Sequence, residues 1–529
     1  MASDSSKQDD NDKTKSAATV AKLGDNDGDE ALKFLAAETT ALTAGELSDV
    51  VDEKALVRKI DRMVIPLMWC CYCLQYLDKT LINYAAVMGL YDDASITTDQ
   101  FSTLAWIFYA SYLAFEFPHG YAMQRLPTAK YLGAMVSLWG TAVAATAACK
   151  TYGALVATRV LLGVFESAVA PALILVTGMW YRKREQPWRV GLWYLGTGVG
   201  TVIGALLSFG FQHYSSSTFN SWQIMFLVVG VVTVAVGILV MLLLPDNPMS
   251  SRLTHAEKIW AVERLRANQT GIENVRFKPA QARECFVDPQ TWLLALATVA
   301  SNIPNAATSS FQATIIKGFG YDSKTTALLS IPAGAVIIAS ILLATYTAGR
   351  FDQRGPCAVA TQLTGVLGGC LVGSRSPCRR RDLSRASVRL TSSPSQIAFL
   401  PAENKVGRLI GIYIMNGIVA GLPLMYAYVS ANIAGHTKKV TMNAVLLISF
   451  CLGNIIGPLT FRDGDEPAYM PAKIAIIVAD VFSIMVIIVL RFYYVWENKR
   501  RDCLAVRHQE NIEFLDLTDR ENLEFRYSL

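Results

Sequence analysis

The stretch GALVATRVLLGVFESAVAPALILVTGMW, residues 153–180, is apolar enough to cross a membrane yet holds Arg159 and Glu166 in its interior. A bilayer core needs roughly 20 consecutive apolar residues in helical form. An ionisable side chain in such a helix is costly, so it faces protein or a water-filled cavity rather than lipid. Arg159, Gly163, Glu166 and Ala170 are spaced to share one helical face. Arginine is always charged and presents a planar fork suited to carboxylate or phosphate, which makes Arg159 a candidate anion anchor. Burial disfavours the charged carboxylate of Glu166, so that group is a candidate proton carrier. The bland alternative for both is a structural bridge inside the bundle.

Working outward, comparable runs recur at about 64–88, 101–123, 130–149, 189–212, 222–244, 290–316, 325–348, 356–373, 408–430, 440–461 and 471–496. Together they give twelve spans, six on each side of a charged stretch at 245–289. Only 17% of the 529 residues are charged, against about 25% in soluble domains. The expected fold is an all-α membrane protein of twelve transmembrane helices in two six-helix halves. The halves are 58–244 and 290–498, joined by a cytoplasmic linker at 245–289. Residues 1–57 are polar, with acidic clusters, and read as a disordered tail rather than a signal peptide; 499–529 read as a second tail.

Loops on one side carry Lys54, Arg58, Lys59, Arg62, Arg125, Lys130, Arg182, Arg189, Arg350, Arg354, Lys438, Lys439 and Lys499. The other side is acidic, with Asp92, Asp93, Asp99, Asp463 and Asp465. Lys and Arg in short loops favour the cytoplasmic side, so both termini are expected there. One block breaks the pattern. Residues 374–397, at the acidic end of the ninth span, hold six Arg against one Asp and thus account for the whole net charge of +5. Omitting them would extend the short ninth span to full length, so they are read as an insertion rather than a true outer loop.

Ten scattered cysteines, five histidines without ligand spacing, and the lack of a phosphate-binding glycine loop speak against a disulfide scaffold, zinc chemistry and direct ATP drive. No nucleophile–base pair stands out, so the chain is not expected to be an enzyme, to need a cofactor or to bind nucleic acid. Polar stripes mark other spans instead. The first holds Gln75, Lys79 and Asn83 beside Asp78; the second Tyr109, Tyr112, Glu116 and His119; the seventh Asn302, Asn305, Ser309 and Gln312. Such residues line a pathway or bind helices together. The fifth carries Gly196, Gly198, Gly200 and Gly204, expected to form a close packing seam on which the halves rock.

The segments Arg58-Lys-Ile-Asp61, Leu77-Asp-Lys-Thr80, Arg159-Val-Leu-Leu-Gly-Val-Phe-Glu166, Leu244-Pro-Asp-Asn-Pro248, Asn404-Lys-Val-Gly-Arg408, Gly453-Asn-Ile-Ile-Gly-Pro458 and Glu497-Asn-Lys-Arg-Arg501 carry a resemblance. In this order they resemble the anion:cation symporters of the major facilitator superfamily (MFS), in particular the fungal allantoate permease branch. Gly349-Arg-Phe-Asp-Gln-Arg-Gly355 is similar to the superfamily's loop signature, which supports a repeat of six and six with a site between the halves. The resemblance implies a plasma-membrane symporter that takes up a small organic anion with protons by alternating access, driven by the proton gradient; a monomer is the expected state, though the sequence does not fix it. Arg159, Lys79, Gln75, Asn83, Asn305 and Gln312 would bind substrate, and Glu166 or Glu116 would couple the proton. Where the family pattern has Asp-Arg, this chain has Asp78-Lys79, which keeps the charge but loses the fork. The rival expectations are a nutrient-sensing receptor and, given 374–397, a transport-inactive product.

Overall fold

The computed structural model describes residues 52–182, 185–214, 219–266, 278–351, 353–372, 374–375, 400–401, 404–465, 469–503 and 517–529. Most of the expected N-terminal tail and of the 374–397 block, and the central part of the linker, lie outside the described residues. Helix α1 runs Glu53–Ala85, starting inside the expected tail, where Asp52 caps it by accepting the Lys54 N–H. It continues through a π-helical turn, Ala86–Leu90, to Asp93. Gly89, at φ +110°, makes that bend, a conformation that costs glycine little. α2 is Thr98–Arg125, opened by a capping box of Thr97 and Gln100; α3 is Thr128–Thr146.

α4 comprises Tyr152–Glu166 and Val169–Trp180. Pro171 has no N–H to give the Ser167 carbonyl, and the helix breaks there, directly after Glu166. α5 comprises Gln186–Tyr194 and Gly196–Phe211, and α6 is Ser221–Leu243. Two short helices, His255–Arg266 and Pro279–Val287, follow. Then come α7 (Pro289–Lys317), α8 (Ser323–Leu329 and Ile331–Phe351), α9 (Arg354–Val372), α10 (Lys405–Met415 and Gly421–Asn432, joined by a 3-10 turn), α11 (His436–Leu459) and α12 (Met470–Asp502).

Eight of these, α4–α6 and α8–α12, are long and apolar enough to cross a membrane by length and composition alone. The exceptions include α1, α2 and α7, the three helices with polar stripes, whose hydropathy falls because one face is spent on protein or cavity rather than lipid.

Within the first half α3 lies against α6, and within the second α9 lies against α12. The halves meet where α2 packs along α11, α5 along α8 and α1 along α7. The expected single glycine seam on α5 resolves into two. Gly196, Gly200 and Gly204 receive α1 within the same half, while Gly198 alone touches Gly334 of α8 across the interface.

On the acidic face the halves are fastened together. The Asp99 N–H donates to Asp463 Oδ1 at 3.0 Å and the Asp463 N–H to Asp99 Oδ1 at 3.3 Å. Ser102 Oγ donates to the Phe461 carbonyl at 3.0 Å, and Gln212 Nε2 reaches the Ser323 carbonyl at 3.4 Å. Beneath these, Phe311 stacks on Phe461 with centroids 4.1 Å apart and meets Phe101 edge-on at 5.2 Å.

On the basic face each half carries its own fastening. His255–Arg266 docks on the first half through Lys59–Glu257 (2.6 Å) and the pairing of buried Arg264 with half-buried Glu185 (2.5 Å). Pro279–Val287 and the terminal residues 517–529 dock on the second. There Lys438 Nζ lies 2.9, 2.7 and 2.8 Å from Glu284, Asp288 and Asp519, so an ammonium fills this acidic cluster. Asn432 and Asn498 pair with the backbone of Ser528 and Tyr527, and Arg501 holds the Phe525 carbonyl and the Tyr527 hydroxyl. The last residues, read from sequence as a tail, therefore include a packed element.

The start of the arginine block meets the chain just beyond its end. Ser374–Arg375 pairs in parallel with Leu400–Pro401, one inter-strand spacing of about 4.8 Å apart. A chain lacking 374–397 therefore has only a short gap to close. We expect that deletion to reach the membrane at the full-length level and to keep its uptake, as read by surface labelling and tracer uptake; loss of surface protein would make the block part of the fold.

Candidate functional site

A narrow cavity lies among α1, α2, α4 and α7, and hence between the halves. Asp78, Lys79 and Ile82 of α1, Phe108 and Tyr109 of α2, Arg159 of α4 and Ser310 of α7 line it. Lys79 Nζ stands 3.5 Å from Glu166 Oε1, and the Glu166 side chain is fully buried. The ammonium sits inside an aromatic box, 5.7–5.9 Å from the ring centroids of Phe108, Tyr109, Tyr112 and Phe450. Rings at this distance attract a cation through their negative faces. Phe450 belongs to α11, so the second half completes the box.

Gln75, one turn before Lys79, reaches toward the Glu166 carboxylate, though its amide makes no hydrogen bond of normal geometry. Asp78 Oδ2 accepts from Trp139 Nε1 at 3.3 Å. The Arg159 guanidinium lies 5.8 Å from the Phe226 ring and, among the described residues, forms no salt bridge. The bridge that spacing on α4 left open, Arg159 to Glu166, is thus replaced by Lys79 to Glu166, while Arg159 keeps its fork toward the cavity.

Four of the eight candidate residues therefore gather: Lys79, Gln75, Arg159 and Glu166. Glu116 is buried nearby, with one carboxylate oxygen unbonded. Asn83 lies outside the cluster; its Oδ1 accepts the Ala313 N–H at 2.9 Å and ties α1 to α7. Gln312 Oε1 accepts from Asn416 Nδ2 at 2.9 Å, a bond between α7 and α10. Asn305 lines a second, smaller cavity with Ser301, Asn302 and Tyr194. His119 bonds the Tyr131 hydroxyl at 2.6 Å and the Val164 carbonyl at 2.8 Å, fixing α2 and α3 to α4.

Tyr109 and Tyr112 of the box lie on the polar stripe marked in the second span, whereas Phe108, Phe450 and Trp139 were not among the residues singled out from sequence. Phe108, Tyr109 and Tyr112 sit in an apolar run where aromatic residues are ordinary, and only the approach of α1 gives them a cation to hold. The packing of α2 on α4, which sets these rings in place, depends on Gly163. A β-carbon there would fall on Ser111 Oγ and the Phe108 carbonyl, inside contact distance. Gly178, later on α4, has open space around it. Gly163→Ala is expected to lower the melting temperature in detergent and to reduce uptake, since overpacking costs about 1–3 kcal/mol. Gly178→Ala should do neither, and equal behaviour of the two would contradict the close packing of α2 on α4.

A family model described as Major Facilitator Superfamily matches residues 68–458. The chain is 37% identical over 527 residues to the thiamine pathway transporter THI73 of Saccharomyces cerevisiae, covering 97% of this chain and 96% of that one. It is 33% identical over 521 residues to the allantoate permease of the same yeast, covering 95% and 90%. At 26% identity it also matches that yeast's high affinity cysteine transporter over 515 residues, covering 90% and 91%. Among solved structures, a bacterial homolog of the human lysosomal transporter Spinster superposes with a TM-score of 0.55 at 14% identity, covering 81% of this chain and 96% of that one, a likeness of fold.

Proposed function

The chain belongs to the Major Facilitator Superfamily and is a membrane transporter, not an enzyme; from that premise we propose that it imports a small organic anion together with protons by alternating access. The observation that carries the reading is the Lys79–Glu166 pair beside the open fork of Arg159. An anion entering the cavity meets two cations, but ionised Glu166 already competes for one of them. A proton on Glu166 removes the competitor and frees Lys79 for the substrate. Anion and proton then favour each other's binding, which is the condition for symport. After the cavity opens to the other side, loss of the proton restores the Lys79–Glu166 pair and displaces the anion. Gln75, within reach of Glu166, and Asn305, in the neighbouring cavity, tune specificity in this reading.

On this account the basic face is cytoplasmic, the membrane is the plasma membrane, and the acidic face, fastened here, is the side from which substrate enters. Carboxylates such as allantoate, ureido acids and vitamin acids form the panel of first choice. Uptake of such labelled acids by cells expressing the chain should rise as the external pH falls, because external protons load Glu166. Uptake indifferent to external pH would remove the proton from the mechanism.

A further inference from the structure

The seam between α9 and α12 holds a carboxyl with no role in the cavity. Asp480 of α12 is fully buried, and neither of its oxygens has a hydrogen-bond partner. It lies against Gly365 of α9, where a β-carbon would fall on Oδ2 itself, so only glycine admits it. The same missing side chain exposes the site to Ile418 Cγ2, beside α10. Gln362, one turn from Gly365 on α9, is also fully buried with neither amide atom bonded. Counted along α12 from Met470, Asp480 sits about 15 Å in, and counted along α9 from Arg354, Gln362 sits about 12 Å in, which places both near the membrane midplane.

The architecture does not require a carboxyl here. The corresponding seam of the first half, α3 against α6, closes through Gly133 on Gly237 and Gly140 on Gly230, and neither helix contains an Asp or Glu. Among the described residues no charged or titratable side chain of α7, α9 or α10 faces Asp480; from those elements it meets Gly365, Ile418 and, a turn away, Gln362. An ionised carboxylate without donors is among the most costly groups to bury, and such a group takes a proton instead. A metal cation is a poor occupant, since hard cations gather about six or more oxygens and the carboxylate and amide of this seam offer three.

We propose that Asp480 is a second proton-binding site, in the second half, occupied when α12 is packed on α9 as seen here. Proton loss leaves a carboxylate that this seam cannot solvate, so release requires the seam to open. The consequence for transport rests on the proton-coupled reading above: one proton on Glu166 neutralises a monovalent anion, and a second on Asp480 makes uptake draw on the membrane potential.

The test reads Asp480 without substrate. Infrared difference spectra of the full chain in lipid, wild type minus Asp480→Asn, should show the carbonyl band of one protonated carboxyl at neutral pH, lost reversibly as pH is raised. A missing difference band, or one unchanged over the whole pH range in which the protein survives, would overturn the proposal. Where Asp480→Asn does not fold, Asp480→Ala, which is smaller and removes the unbonded polar group, takes its place in the difference spectrum; a missing band there would overturn the proposal equally. Failure of the Glu166 mechanism would leave these spectra untouched and would appear only in uptake.

Discussion

Replacing Arg159 with alanine is expected to abolish uptake while leaving the protein in the membrane. The guanidinium borders the cavity and forms no salt bridge among the described residues, so little of the bundle depends on it. A hydrogen bond to a charged group contributes about 1.5–3 kcal/mol net. At about 1.4 kcal/mol per tenfold, its loss weakens anion binding by roughly 10- to 100-fold. Asp78 shares the cavity wall and, without Arg159, gains unopposed repulsion toward any anion, which adds to the loss. Arg159→Lys separates charge from geometry. It keeps the cation but not the fork, and should bind the anion more weakly than wild type and better than alanine. Wild-type KM in Arg159→Ala, at normal surface level, would remove the residue from the site.

The second large effect is expected at the acidic face. The reciprocal bonds between Asp99 and Asp463 hold the start of α2 to the segment after α11. If alternating access opens this face, a covalent link there must stop the cycle. A disulfide requires Cα atoms about 4.4–6.8 Å apart, a spacing that two residues exchanging backbone-to-side-chain bonds approach. The double variant Asp99→Cys, Asp463→Cys should lose uptake on oxidation and regain it on reduction, while each single variant transports under both conditions. Every described native cysteine is a free thiol, so oxidant effects on the single variants are the control. Undiminished uptake by fully crosslinked protein would mean that substrate does not pass this face.

The spans were legible because a helix in hydrocarbon needs a long apolar run, a signal that survives without knowledge of neighbours. The break of α4 was legible only in part: Pro171 marks it, but not that Glu166 ends the first segment. The pairing of Lys79 with Glu166 was not legible at all, because it depends on how α1 and α4 are rotated against each other. The same limit explains the amides. Asn83, Asn305 and Gln312 all lie on polar stripes, yet sequence cannot say whether a stripe faces a cavity or another helix, and two of the three are spent on interhelical bonds. The docking of 517–529 was hidden for a different reason. A short polar segment cannot bury much apolar surface, so its order comes from partners such as Lys438 and Arg501, far away in sequence or in another helix.

The central claim is that a proton on Glu166 frees Lys79 for the anion, and Glu166→Gln tests it most directly. Glutamine cannot carry the proton but, like the protonated acid, leaves Lys79 without a charged competitor. In proteoliposomes the variant should still exchange internal for external labelled substrate at zero proton gradient, and should lose the share of gradient-driven accumulation that the Glu166 proton supplies, keeping at most the smaller share carried through Asp480. Accumulation that responds to the gradient as in wild type would contradict the account.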